Sequence, residues 1–155
     1  MFNITIVCTV HKEIGSCNSI ELYDIIENLR PEIIFEELTQ KTYDEYYGIQ
    51  DRKTLETSAI KMYRSINKVK HIPVVNLELS KDIDKKLKLA TKHLKYRQLF
   101  NNLITYESKY GFKFLNSKHC DQIIEEMREF EELILKKHEK QSQLFQKCDK
   151  ILDEY

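Results

Sequence analysis

Two short apolar runs, each closing on ionisable side chains, constrain this chain more than any other feature. The first extends from Ile4 to Val10 and ends on His11; the second extends from Ile33 to Phe35 and ends on Glu36 and Glu37. Between them lie a polar turn, Lys12 to Asn18, an amphipathic stretch, Ser19 to Leu29, and a break at Pro31. The pattern is strand, helix, strand, and a crossover of this kind is right-handed and returns parallel. Parallel strands are covered on both faces, which accounts for unbroken apolar runs in place of alternation. Ligands of such sheets lie beyond the carboxyl ends of the strands. Neighbouring strands are about 5 Å apart, so His11 and Glu37 are expected to share one rim. Glu36, one residue earlier, is expected on the opposite face.

The helix between the runs has a legible start. Asn18 with Glu21 three residues on makes a capping-box-like pair. Ile20, Tyr23, Ile25 and Ile26 give it an apolar side, and Arg30 before Pro31 ends it, because a residue preceding proline is pushed out of the α region. A short helix is expected over Thr39–Tyr47, stopped by Gly48, and a second over Arg52–Val69. A third strand follows, His71 to Glu78, with Pro73 near its start where an amide can be spared. Ser80, Asp82 and Asp84 then open a helix that continues to about Tyr106. A turn at Tyr110-Gly111-Phe112 breaks it, and a last helix starts near Ser117 and runs to Asp153. At about 1.5 Å per residue that helix spans roughly 50 Å. No glycine or proline follows Gly111 to interrupt it.

The expected fold is therefore α/β. Residues 1–80 form a βαβαβ core around a small three-strand parallel sheet with flanking helices. Residues 81–155 form a long α-helical hairpin that extends the same domain. The 155 residues are 41% hydrophobic and 32% charged, a composition that excludes wholesale disorder. No apolar run approaches a membrane span. The four cysteines, Cys8, Cys17, Cys120 and Cys148, have no paired spacing, and because the first expected strand begins at once no signal peptide is expected. A cytoplasmic protein with free thiols is expected.

His11 is a candidate general base or metal ligand, and Glu37 a candidate catalytic carboxylate or second ligand. Glu78 ends the third strand much as Glu37 ends the second, and Glu13 and Cys17 lie close to His11 in sequence. A divalent ion, zinc or manganese, held by His11, Glu37 and Glu78 is the metal site this pattern allows. Glycine loops that cradle phosphate are missing, which removes Rossmann and P-loop chemistry, and no nucleophile elbow surrounds a serine. The run Lys81, Lys85, Lys86, Lys88, Lys92, Lys95 and Arg97 is the one basic stripe. It lacks interleaved aromatic residues, and nucleic acid is not an expected partner; a nucleic-acid-binding module using the 81–97 basic face is the third reading. The apolar positions from Ile123 to Leu152 exceed what the preceding helix covers, so a homodimer through the last helix is expected.

The sequence C-T-V-H (Cys8 to His11), the polar turn, the helix, and P-E-I-I-F-E-E-L (Pro31 to Leu38) together resemble the TraB/PrgY/Tiki superfamily, with its ChaN-like and erythromycin-esterase-like branches. In that group a first strand ends in G-x-x-H and a second ends in a glutamate within P-D-x-x-F-x-E-L. His11 falls on the motif histidine and Glu37 on the glutamate; Cys8 stands where the motif has glycine. The stretch Gly111 to Glu126, with F-L-N-S (Phe114 to Ser117), is similar to the central helical part of some relatives. The resemblance implies a metal-dependent hydrolase with its centre at the carboxyl rim of the sheet. No second G-x-x-H is present, and a non-catalytic interaction protein on the same fold is the alternative from another class.

Overall fold

A computed structural model describes residues 3–48, 52–75 and 87–153, with side chains through residue 138 and at residue 140. The chain forms two compact units. One joins Met1–Glu78 with Ile104–Cys120; the other joins Leu79–Leu103 with Asp121–Tyr155.

In the first unit, helix α1 (Ser19–Leu29) begins as its sequence dictates. The Asn18 side chain accepts hydrogen bonds from the amides of Ile20 (3.1 Å) and Glu21 (2.9 Å). The helix ends on Arg30, which adopts φ 47° in the left-handed region common at helix C-termini, and its amide donates to the Ile26 carbonyl; Pro31 follows. Strand β1 (Ile33–Glu36) follows, then α2 (Gln40–Tyr47) and α3 (Leu55–Ile66). Thr39 and Thr54 each close a reciprocal capping box, with Thr42 and Thr57 respectively. Strand β2 (Lys70–Pro73) pairs parallel with β1, Ile34 opposite His71 and Glu36 opposite Pro73. Leu22 and Ile26 of α1 pack with Leu55, Ala59, Ile60 and Tyr63 of α3, all buried. A buried side chain of this size contributes ~1.5–3 kcal/mol.

The sheet differs from the three-strand expectation. Among the described residues it has two strands, β1 and β2, and residues 3–10 form no strand. Ile4 and Ile6 are 87% and 82% exposed. The backbone of Cys8 finds its partners on a side chain: its amide donates to Asn116 Oδ1 (2.7 Å), and its carbonyl accepts from Asn116 Nδ2 (3.1 Å). One amide side chain thus occupies the positions a neighbouring strand would use. An apolar run of this length does not by itself distinguish a strand from an extended loop. The βαβαβ core reduces to a single parallel β-α-α-β unit with α1 ahead of it. The end of the expected third strand, including Glu78, lies outside the described residues.

Helix α4 (Leu94–Leu115) is bent at Gly111, which takes φ 55°, ψ −142°. Helix α5 (Lys118–Asp153) is 36 residues long. The expected Ser80 start of the preceding helix lies outside the described residues; residues 87–90 are helical, and a turn at 91–93 separates them from α4. In the second unit Tyr96 is buried, donates to Glu131 Oε1 (2.6 Å) and stacks on Phe130, while Lys95 pairs with Glu126 (2.8 Å). Burial and the carboxylate raise the Tyr96 phenol above its usual range.

Candidate functional site

His11 sits on a loop that is fixed at both ends by the helices around it. Its carbonyl accepts the amide of Leu55 (3.2 Å), the first residue of α3, which satisfies one orphan donor of that helix. Just beyond it, Ile14 and Cys17 exchange two backbone hydrogen bonds of 2.9 Å and enclose a two-residue turn at Gly15–Ser16. The turn lies directly against α4. Ser16 donates to the carbonyl of Ser108 (2.8 Å), and a Cβ on Gly15, at φ +54°, would collide with that same carbonyl. Gly111 answers from the other side, where a Cβ would collide with Glu21 Oε2. Only glycine permits the turn and the helix bend to approach this closely.

The imidazole itself is directed onto Glu56, the second residue of α3. Nδ1 of His11 lies 3.0 Å from Glu56 Oε1, and the Thr9 hydroxyl donates to the same oxygen (2.9 Å). An ionised carboxylate only accepts, so His11 carries its proton on Nδ1 and its Nε2 lone pair is left over. The His11 side chain is 77% exposed, whereas Glu56 is buried. Nε2 meets no described residue and is open to solvent. A buried acid fixes the tautomer and an exposed nitrogen is presented outward, which suits either proton transfer or ligation.

Behind Glu56 lies an unusual concentration of acid. Glu21, Glu56 and Glu107 each bury one carboxylate oxygen with no hydrogen-bond partner. All three surround Cys17, whose thiol is fully buried and pushed up to about 12 by burial first and by the three carboxylates second. A thiol so shifted remains protonated at neutral pH and is not a nucleophile. Burial also raises the carboxyl of Glu107. Glu13 has a separate role: the amide and hydroxyl of Ser19 donate to it at the start of α1, and these bonds hold its carboxyl below the ordinary range.

A second imidazole–carboxylate pair lies at the end of the two strands. His71 Nε2 is 2.7 Å from Glu36 Oε2, and the Tyr47 hydroxyl donates to that oxygen, also at 2.7 Å. Arg64 Nη1 is 3.2 Å from His71 Nδ1. A guanidinium only donates, so Nδ1 accepts and the His71 proton is on Nε2, facing Glu36. The result is a chain from Arg64 through His71 to Glu36, with Tyr47 closing it. Burial first, and then Glu36, raise the Tyr47 phenol far above its usual range. Tyr43 packs on both rings, with centroids 4.8 Å from Tyr47 and 5.0 Å from His71.

The structure does not join His11 to Glu37. Glu37 is exposed at the end of β1 and engages no described residue, whereas Glu36, expected on the outside, is the buried one. The sheet side of β1 that carries Glu36 is the side covered by His71 and Tyr47, so Glu36 and not Glu37 is the covered neighbour. No three His, Cys, Asp or Glu side chains come together to hold a metal ion among the described residues. Glu78, the third candidate ligand, lies outside the described residues. Of the basic stripe, Lys88 and Lys92 are exposed and Lys95 is engaged by Glu126; Lys81, Lys85 and Lys86 lie outside the described residues. No described helix is long and apolar enough to cross a membrane.

Glu56, Glu36, His71 and Arg64 were not legible as site residues. Glu56 carries one signal, its place two residues after the helix-capping Thr54, where a carboxylate is favoured by the helix dipole and faces the preceding loop. Comparison with protein-family models, curated proteins and solved structures finds no match for this chain.

Proposed function

We propose that the chain is a hydrolase of the TraB/Tiki-like kind in which His11 acts as general base and Glu56, in place of Glu37, is its carboxylate partner. The observation that supports it is the 3.0 Å contact from a buried carboxylate to Nδ1 of an imidazole whose Nε2 is open to solvent. Glu56 holds the ring in one tautomer and stabilises the imidazolium that forms when Nε2 takes a proton from water. Cys17 does not compete as nucleophile, because its thiol stays protonated. Water is then the attacking group, and carboxylic esters, phosphate esters and peptide amides are the substrate classes to screen. His11→Gln is expected to lower turnover about 10²–10⁴-fold, the usual contribution of a general base. Glu56→Gln is expected to lose about 10–100-fold. Unchanged turnover in His11→Gln would overturn the proposal.

The same reading takes the protein to be cytoplasmic and a homodimer through α5. In support, Leu133 on that helix is 62% exposed, and the apolar spacing continues in sequence to Leu152. Sedimentation at low micromolar concentration is expected to give twice the chain mass of 18.6 kDa; a concentration-independent monomer would remove the dimer. The interaction-protein alternative is favoured by Ile33 and Phe35, which are both exposed on one face of β1. Turnover in no substrate class, with a partner retained on that face and lost in Phe35→Asp, would select it.

A further inference from the structure

Beside the Glu36–His71 pair, and separate from His11, a cleft of about 470 Å³ opens between α2 and α3, lined by Tyr43, Asp44, Tyr47, Lys61, Arg64 and Ser65. A volume of this order accommodates a small molecule. Two cations line it, Lys61 and Arg64, and both lie near the Tyr47 ring. Arg64 is exposed, lies 5.7 Å from the centre of the Tyr47 ring, and is tied at Nη1 to His71 Nδ1. Among the described residues it pairs with no carboxylate. Glu36, on the other side of His71, is occupied by His71 and Tyr47. Asp44, the acid on the rim, accepts from Gln40 Nε2 at 3.1 Å.

A guanidinium with one nitrogen anchored and a ring within cation–π range has donors left over for carboxylate and phosphate oxygens. Little side-chain freedom remains to be lost on binding. Tyr43 supplies the second element. Its hydroxyl engages no described residue, and its ring lines the cleft next to Tyr47. We propose that this cleft binds a small organic anion, a carboxylate or a phosphate monoester, whose head group pairs with Arg64 and whose flat apolar body lies on Tyr43. The site does not depend on the His11 proposal, and its test uses no turnover.

Phenyl phosphate, benzoate, inorganic phosphate and the neutral benzyl alcohol are titrated into the full chain, followed by the aromatic NMR signals of Tyr43 and Tyr47. Both aromatic anions are expected to shift those signals saturably, and whichever binds tighter identifies the head group. Inorganic phosphate is expected to bind more weakly than phenyl phosphate, and benzyl alcohol not to saturate. Arg64→Gln, a substitution at an exposed position, is expected to weaken the anions about tenfold or more. Tyr43→Leu is expected to weaken the aromatic anions and leave inorganic phosphate unchanged. No saturable shift by any anion at millimolar concentration, or equal anion affinity in wild type and Arg64→Gln, would overturn the site.

Discussion

His11 and His71 each meet a glutamate, and the two pairs differ in what becomes of the other ring nitrogen. At His71 both nitrogens are engaged, one by Glu36 and one by Arg64, and the ring is fully buried. At His11 one nitrogen is held by Glu56 and the other faces water. The first arrangement satisfies every polar atom of the imidazole and leaves it nothing to do but hold its neighbours. The second leaves one lone pair unused and accessible, at the edge of a region where three carboxylates are incompletely satisfied. Full satisfaction fits a structural histidine, and a single open nitrogen backed by buried acid is the arrangement that the proposed general base requires.

The largest expected effect separates the pairs by stability. Glu36→Ala leaves His71 and Tyr47 without their common acceptor and is expected to cost ~3–5 kcal/mol, as for other buried pairs that lose one partner. Glu56→Ala removes two hydrogen bonds but also an unsatisfied buried oxygen, and is expected to cost no more than about 1 kcal/mol. Urea denaturation of both variants measures the gap; equal losses would erase the distinction between the sites. Next in size is Gly15→Ala, which places a methyl group against the Ser108 carbonyl at a left-handed position. It is expected to cost roughly 2–4 kcal/mol and to displace the loop that carries His11. Wild-type stability in that variant would show that the loop is not wedged against α4.

A smaller effect has the opposite sign. Burial raises the Glu107 carboxyl, so the folded chain takes up this proton more readily than the unfolded one. Its favourable contribution is therefore complete below the ordinary glutamate value of about 4.3 and is lost as pH rises through the raised folded value. Glu107→Gln has no such loss. The variant is expected to be more stable than wild type at neutral pH and indistinguishable from it in acid. Thermal melts across that range check both the sign and the window. A variant less stable at neutral pH would mean that the ionised carboxylate has a partner.

Local signals were readable where the chain writes them locally. Asn18, Thr39, Gly48 and Gly111 announce helix ends and a bend, and each does so in the structure. The parallel pairing of Ile33–Glu36 with the stretch around His71 followed from apolar runs on either side of helical spacing. The run Ile4–Val10 carries the same signal and forms no strand, because its backbone at Cys8 is bonded to Asn116, 108 residues away. No local pattern reports such a partner. The same holds for the site. Alternation along β1 fixes that Glu36 and Glu37 oppose each other, but only the position of β2 decides which one is covered. His11 was legible as an ionisable residue, but was expected at the end of a strand that does not form; Glu56 was not legible, because 45 residues separate the two.

The central claim is that Glu56 holds His11 with its proton on Nδ1 and its Nε2 lone pair exposed, while His71 is held the other way round. Long-range ¹H–¹⁵N correlation spectra, recorded in mildly alkaline buffer where neutral imidazoles predominate, report the tautomer of each ring in one experiment. The account predicts an Nδ1–H signature for His11 and an Nε2–H signature for His71, with His11 alone changing in Glu56→Gln. An Nε2–H tautomer at His11, unaltered by Glu56→Gln, would contradict it.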